Sequence, residues 1–215
     1  MPRVTLSFDN GPHPDVTPGV LAALARYEIR ATFFVIGKNI ASPEGRAQMA
    51  TAHEQGHWIG NHTHHHQTPL GRIENSAEAL AEIERTDELI GAFAHPSRLF
   101  RPYGEGGILD QRLLSEAAVA HLRERRATCV IWNVLPRDWL DPQGWVETAL
   151  AQIGEHEESL MVLHDIATGA MAHLERFIER ALASGAEFRQ AFPDECVLIR
   201  DGQPARSLDA YVTRR

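Results

Sequence analysis

The sequence predicts an α/β fold in which βα units surround a parallel sheet or barrel as a single domain over residues 1–215. Three observations carry this. Short β-branched or aromatic runs alternate with helical patterns from end to end. The 215 residues, 43% hydrophobic and 23% charged, have the size and apolar content of one compact unit. No repeat, low-complexity tract or Pro/Ser-rich linker interrupts the alternation.

Strands are expected at 4–8, 32–36, 58–61, 99–100, 128–132, 160–164 and 197–200, about seven in all and read as parallel. The first helix is expected to open at Thr17 as N-cap, with Pro18 at the first helical position and Val20, Leu21 and Leu24 on one face. Residues 73–93 read as the longest helix, with Leu80, Ile83, Leu89 and Ile90 at helical spacing. Further helices are expected over 111–126, 143–153 and 170–184. The segment 187–215 has weak patterning and suggests no function.

Composition excludes several classes. Lys+Arg is 21 against Asp+Glu 29, a net charge of -8, and no basic run exists to bind phosphate backbones. No apolar run reaches the length of a membrane span. Cys129 and Cys196 can form at most one bridge, so a disulfide scaffold is out. Met1-Pro2-Arg3 leads straight into a strand with no export signal, so a cytoplasmic location is expected. No protein partner is inferred.

In folds of this kind the active site collects where strands end and βα loops begin. Six of the twelve histidines fall between His53 and His66. His62 and His66 are four apart, so a helical turn after the strand would put both imidazoles on one face to grip a metal ion, with His64 and His65 pointing elsewhere. The bland reading is a solvated surface. Asp9, at a strand end before Asn10-Gly11-Pro12, is a base or ligand, or else ordinary turn chemistry. His53-Glu54-Gln55-Gly56-His57 matches a zinc-protease motif, but Gly56 should stop the helix and make its histidines diverge. Gly104-Glu105-Gly106-Gly107 lacks the lysine of a phosphate loop and reads as a flexible turn. No nucleophile elbow appears, which leaves hydrolysis by activated water.

Five stretches taken in order then carry a resemblance. They are Thr5-Leu6-Ser7-Phe8-Asp9-Asn10-Gly11-Pro12, Gly56-His57-Trp58-Ile59-Gly60-Asn61-His62-Thr63 with His66, Phe100-Arg101-Pro102-Tyr103-Gly104, Asp138-Trp139, and Leu160-Met161-Val162-Leu163-His164-Asp165. Together with Ala31-Thr32-Phe33-Phe34-Val35, they resemble the polysaccharide deacetylase family, the NodB homology domain of carbohydrate esterase family four. The resemblance implies a distorted (β/α) barrel and metal-dependent removal of acetyl groups from an N-acetylated saccharide or peptidoglycan fragment. It implies Asp9 as general base, His164 as general acid, Arg101 orienting Asp9 and Asp138 tuning His164. Asn10, His62 and His66 become ligands of a divalent ion, zinc above all, with cobalt or nickel as alternatives. Trp139 and Leu163 would wall the acetyl pocket, and the Tyr103 N–H would help hold the oxyanion.

The chain departs from the family pattern twice. Most members place an aspartate where Asn10 stands, and losing that charge puts metal occupancy in question. The Arg101 motif is also one residue shorter than the common R-P-P-Y-G form. Two rival readings follow from Asn10: hydrolysis of a different C–N bond, such as that of a small cyclic amide, since some members of the superfamily resemble allantoinases that work without metal, or a decayed carbohydrate-binding or scaffold domain.

Overall fold

A computed structural model describes residues 1–214. The chain runs β1 (Arg3–Asp9), α1 (Thr17–Arg26), β2 (Thr32–Val35), α2 (Gly37–Ile40), α3 (Pro43–Glu54), β3 (Trp58–Asn61), α4 (Ser76–Ile90) and β4 (Leu99–Phe100). It continues with β5 (Leu114–Ser115), α5 (Glu116–Glu124), β6 (Thr128–Val130), α6 (Trp145–Ile153), β7 (Glu158–His164) and α7 (Leu174–Ala183). Short strands β8 (Glu187–Arg189), β9 (Val197–Arg200), β10 (Gln203–Pro204) and β11 (Val212–Thr213) complete it.

The main sheet has the order β10-β9-β6-β4-β3-β2-β1-β7. The stretch from β6 to β7 is parallel throughout. Just beyond β6, Val134 makes a parallel bridge to Met161 of β7, so the curled sheet nearly closes on itself. The lower half of β1 pairs with β8 and its upper half with β2, which makes the barrel distorted. The expected parallel strand at 197–200 is a correction: β9 lies antiparallel to β6. Only residues 190–196 join it to β8, too few for the crossover that would return the chain in the same direction.

Strand alternation sorts the side chains. Val4, Leu6 and Phe8 of β1 and Met161 and Leu163 of β7 join Val20, Leu21 and Leu24 of α1 in the core between sheet and helices. Their alternates Thr5, Ser7 and Asp9, buried and polar, point into the barrel.

Several helix ends differ from expectation. Thr17 is not the N-cap of α1; Val16 holds that place without a side-chain bond, because the Thr17 hydroxyl donates to Asp165 Oδ2 instead. The 73–93 helix is shortened to α4, capped by Asn75 accepting the Ala77 N–H and ended at Gly91. Over 111–126, Leu114–Ser115 pairs with β11 and Ser115 caps α5. Residues 170–173 form a tight 3-10 turn before α7. Within 187–214, β8 joins β1 and β9 joins β6 in the main sheet, while β11 pairs with β5 in a separate two-stranded sheet.

Candidate active site

The strand ends converge on a cavity of about 220 Å³ lined by Asp9, Asn10, His62, His66, Tyr103, Trp139 and His164, with Trp132, Leu135, Val162, Ile166 and Gly104, Gly106 and Gly107. On one side, Arg101 is buried in the barrel and its Nη1 donates to Asp9 Oδ1 at 2.7 Å and to Ser7 Oγ at 2.8 Å. Its guanidinium lies over the Phe34 ring, 4.1 Å from the centroid, which limits how it can turn. Asp9 is thus fixed, with its second oxygen 3.5 Å from His62 Nε2.

His62 and His66 come together, but not on a helix. The segment after β3 is irregular, with Thr63 at φ 66 and His66 at φ 56, strained values for non-glycine residues. Asn61 holds the loop: its amide donates to Ile83 O and Asp87 Oδ1, and its oxygen accepts the Thr63 N–H. Glu82 accepts the N–H groups of His64 and His65, turning those residues away as expected. His62 Nδ1 donates to the Arg101 carbonyl at 2.8 Å, so Nε2 presents its lone pair to the cavity, 3.1 Å from His66 Nε2. Both rings are held neutral. Burial lowers the pKa of His62 despite Asp9, and burial with neighbouring His62, His164 and Lys38 pushes His66 down to about 2. The Tyr103 ring packs on His66, centroids 4.0 Å apart.

Asn10 adopts φ 73, a left-handed conformation that asparagine tolerates. The Asn39 amide secures this turn by donating to the Asn10 carbonyl at 2.7 Å. The Asn10 Oδ1 is buried with no hydrogen-bond partner among the described residues. Those residues contain no cluster of three His, Cys, Asp or Glu side chains able to hold a metal. The fit to a divalent ion therefore depends on the asparagine: two neutral imidazole nitrogens and a free amide oxygen make a mixed N/O donor set suited to zinc, cobalt or nickel.

On the adjoining strand β7, where His164 is the register partner of Asp9, the His164 Nδ1 donates to Asp138 Oδ1 at 2.8 Å and its backbone N–H to Oδ2 at 3.0 Å. Burial alone would lower this histidine. The Asp138 hydrogen bond and charge, aided by Asp9, outweigh burial and leave its pKa above the ordinary value. Trp139 stands edge-on to the ring at 4.7 Å.

Leu163 is a correction. It is buried in the core on the helix side of β7, and Val162 lines the cavity instead. His164 faces the barrel, so its immediate neighbour faces away and the residue two before it faces in. That alternation was readable in the sequence. Trp132, Leu135, Ile166 and the wall formed by Gly104, Gly106 and Gly107 were missed; the glycine segment, expected to be only a turn, lines the cavity. Gly107 adopts φ +76, a left-handed conformation that favours glycine, and so lets the loop turn against the cavity. The zinc-protease pattern dissolves as expected: α3 stops at Glu54, Gly56 takes φ +85, and His57 is buried accepting the Ala31 N–H.

A half-closed α/β barrel with an aspartate, paired imidazoles and a carboxylate-bound histidine at its strand ends defines the class. A profile of the polysaccharide deacetylase family matches residues 1–123, and the chain belongs to that family. It is 37% identical over 168 residues to a chitooligosaccharide deacetylase of Bradyrhizobium sp. (strain ANU 289), covering 75% of this chain and 70% of the relative. It is 27% identical over 190 residues to a peptidoglycan-N-acetylglucosamine deacetylase of Listeria monocytogenes, covering 86% of this chain but only 37% of that protein. Among solved structures, the family 4 carbohydrate esterase from Streptomyces lividans in complex with acetate superimposes with a TM-score of 0.74 at 25% identity, covering 94% of this chain and 98% of the other.

Proposed function

We propose that the protein is a divalent-metal-dependent deacetylase of N-acetylated saccharides, releasing acetate from an N-acetylhexosamine unit of a chitooligosaccharide or peptidoglycan fragment. The observation that carries this reading is the meeting of His62 Nε2 and His66 Nε2 at 3.1 Å beside the Arg101-bound Asp9, with His164 lining the same cavity. The names of the relatives support the substrate class.

His62, His66 and the Asn10 Oδ1 would hold the ion. When bound, it supplies Lewis acidity, polarising the amide carbonyl and making a water more acidic. The chain's own groups do the rest. Asp9 takes a proton from the attacking water, and Arg101 keeps its carboxylate aimed by occupying the other oxygen. As charge gathers on the carbonyl oxygen, the Tyr103 N–H would donate to it. His164 then gives its proton to the departing amine, and Asp138 holds the ring in the tautomer that presents Nε2 for this transfer. Trp139, Leu135 and Val162 supply an apolar seat for the acetyl methyl.

Acetate release from chitooligosaccharides and muropeptides, by wild type and Asp9→Ala after loading with zinc, cobalt or nickel, tests the reading. Release by wild type that Asp9→Ala abolishes is expected; saccharide binding without turnover under every metal would overturn it. Asn10 favours a second reading, hydrolysis of another C–N bond. Full turnover of a cyclic amide under strong chelation would establish that instead.

A further inference from the structure

Asp165, next to His164 at the end of β7, takes no part in the chemistry above, yet it is completely buried. Its Oδ2 accepts the Thr17 hydroxyl at 2.5 Å, and Thr17 Oγ1 in turn accepts the His13 N–H at 2.8 Å. Its Oδ1 is buried with no partner among the described residues. The carboxyl lies flat against Gly11, where a Cβ would sit 2.1 Å from Oδ2 and 2.4 Å from Cγ. Only a glycine lets the turn after Asp9 descend this far. Around it is a void of about 10 Å³ lined by Phe8, Phe33, Phe34, Met49 and Gln48, whose Oε1 is also unpartnered. The charged groups that act on Asp165 are His164 on its own strand and Asp9 on β1. Thr17 of α1 and Gln48 of α3 bring only neutral polar atoms. Among the described residues no Lys or Arg pairs with this carboxyl, so burial disfavours its charged form.

We propose that Asp165 is a positioning residue that works as an uncharged carboxylic acid, clamping the Asp9-Asn10-Gly11 turn onto the end of β7 and so setting Asp9 against His164. The value of that spacing rests on the deacetylase reading; the clamp itself does not. Burial raises the Asp165 pKa to about 7, against the opposing Thr17 hydrogen bond, its own backbone N–H and His164, and with support from Asp9. The sign follows. A carboxyl whose folded pKa is raised costs stability increasingly as pH climbs from the ordinary carboxylate range through the folded value.

The test compares thermal unfolding of wild type and Asp165→Asn at about pH 5 and about pH 8 with acetate release at neutral pH. Asparagine keeps the shape and stays neutral. The expected result is a small melting advantage for Asp165→Asn at the lower pH, a clearly larger one at the upper pH, and most of the wild-type kcat/KM retained. Asp165→Leu, which cannot accept from Thr17, should lose on the order of a hundredfold in kcat with little change in KM. Should Asp165→Leu fail to fold, Thr17→Val decides: removing the donor should move the pH break in wild-type stability upward. A melting difference independent of pH, or an Asp165→Asn enzyme as slow as Asp165→Leu, would overturn the clamp. Absence of acetate release by wild type would sink the deacetylase reading while the melting comparison still judged Asp165.

Discussion

Asp138 grips His164 at two points, Oδ1 on the ring Nδ1 at 2.8 Å and Oδ2 on the backbone N–H at 3.0 Å. The second bond locks the carboxylate to the strand, so the first orients the imidazole as well as raising its proton affinity. Asp138→Asn loses the charge and with it most of the upward shift. The alkaline limb of kcat/KM should move to lower pH, and kcat should fall on the order of a hundredfold. The raised histidine also contributes stability below its ordinary pKa that is lost as pH rises through the folded value. Asp138→Asn should lack that contribution, so its deficit in denaturant midpoint should be larger at mildly acidic pH than at alkaline pH. An unchanged pH profile would refute the assignment.

Metal retention should follow the three donors around Asn10. Elemental analysis after mild zinc loading should find near-stoichiometric metal in wild type and little in His62→Ala. Asn10→Asp restores a carboxylate at a position whose φ of 73 aspartate also tolerates, and should tighten affinity in a competition titration. Unchanged or weaker affinity would contradict Asn10 as a ligand.

Arg101 is buried against Asp9, which makes its removal costly in a specific way. Arg101→Met fills similar space but leaves the Asp9 carboxylate charged and unpaired, a loss of about 3–5 kcal/mol for a buried pair broken on one side. Urea unfolding should show it. The double variant that also carries Asp9→Asn should recover much of the stability while remaining inactive, and failure to recover would mean that Arg101 acts mainly through packing on Phe34 and Trp132.

Adjacent residues of β7 should respond in opposite ways. Leu163→Ala empties core volume and should cost about 2–5 kcal/mol with KM little changed. Val162→Ala enlarges the cavity wall and should alter KM or substrate preference at a smaller stability cost. If Leu163→Ala shifted substrate preference instead, the facing of β7 described above would be wrong.

The sequence by itself determined the α/β class, because alternating strand and helix patterns are local and Pro18 and Gly56 leave chemical marks at helix ends. It also marked Asp9, His62, His66, Arg101, Asp138 and His164, because each stands in a recognisable motif, and the structure brings these six around one cavity or directly behind it. Only the tertiary structure decided the rest. The pairing of His62 with His66 depends on a loop pinned by Asn61 and Glu82 from α4, not on helical spacing. Trp132, Leu135 and the Gly104, Gly106 and Gly107 wall reach the cavity because the sheet curls until Val134 meets Met161. Asp165 looked like one more residue of a motif until burial against Gly11 and Thr17 removed it from water. The physical division is one of range. Propensity and motif chemistry act within a few residues, whereas desolvation, close approach and hydrogen bonding join groups distant in sequence and exist only once the barrel has closed.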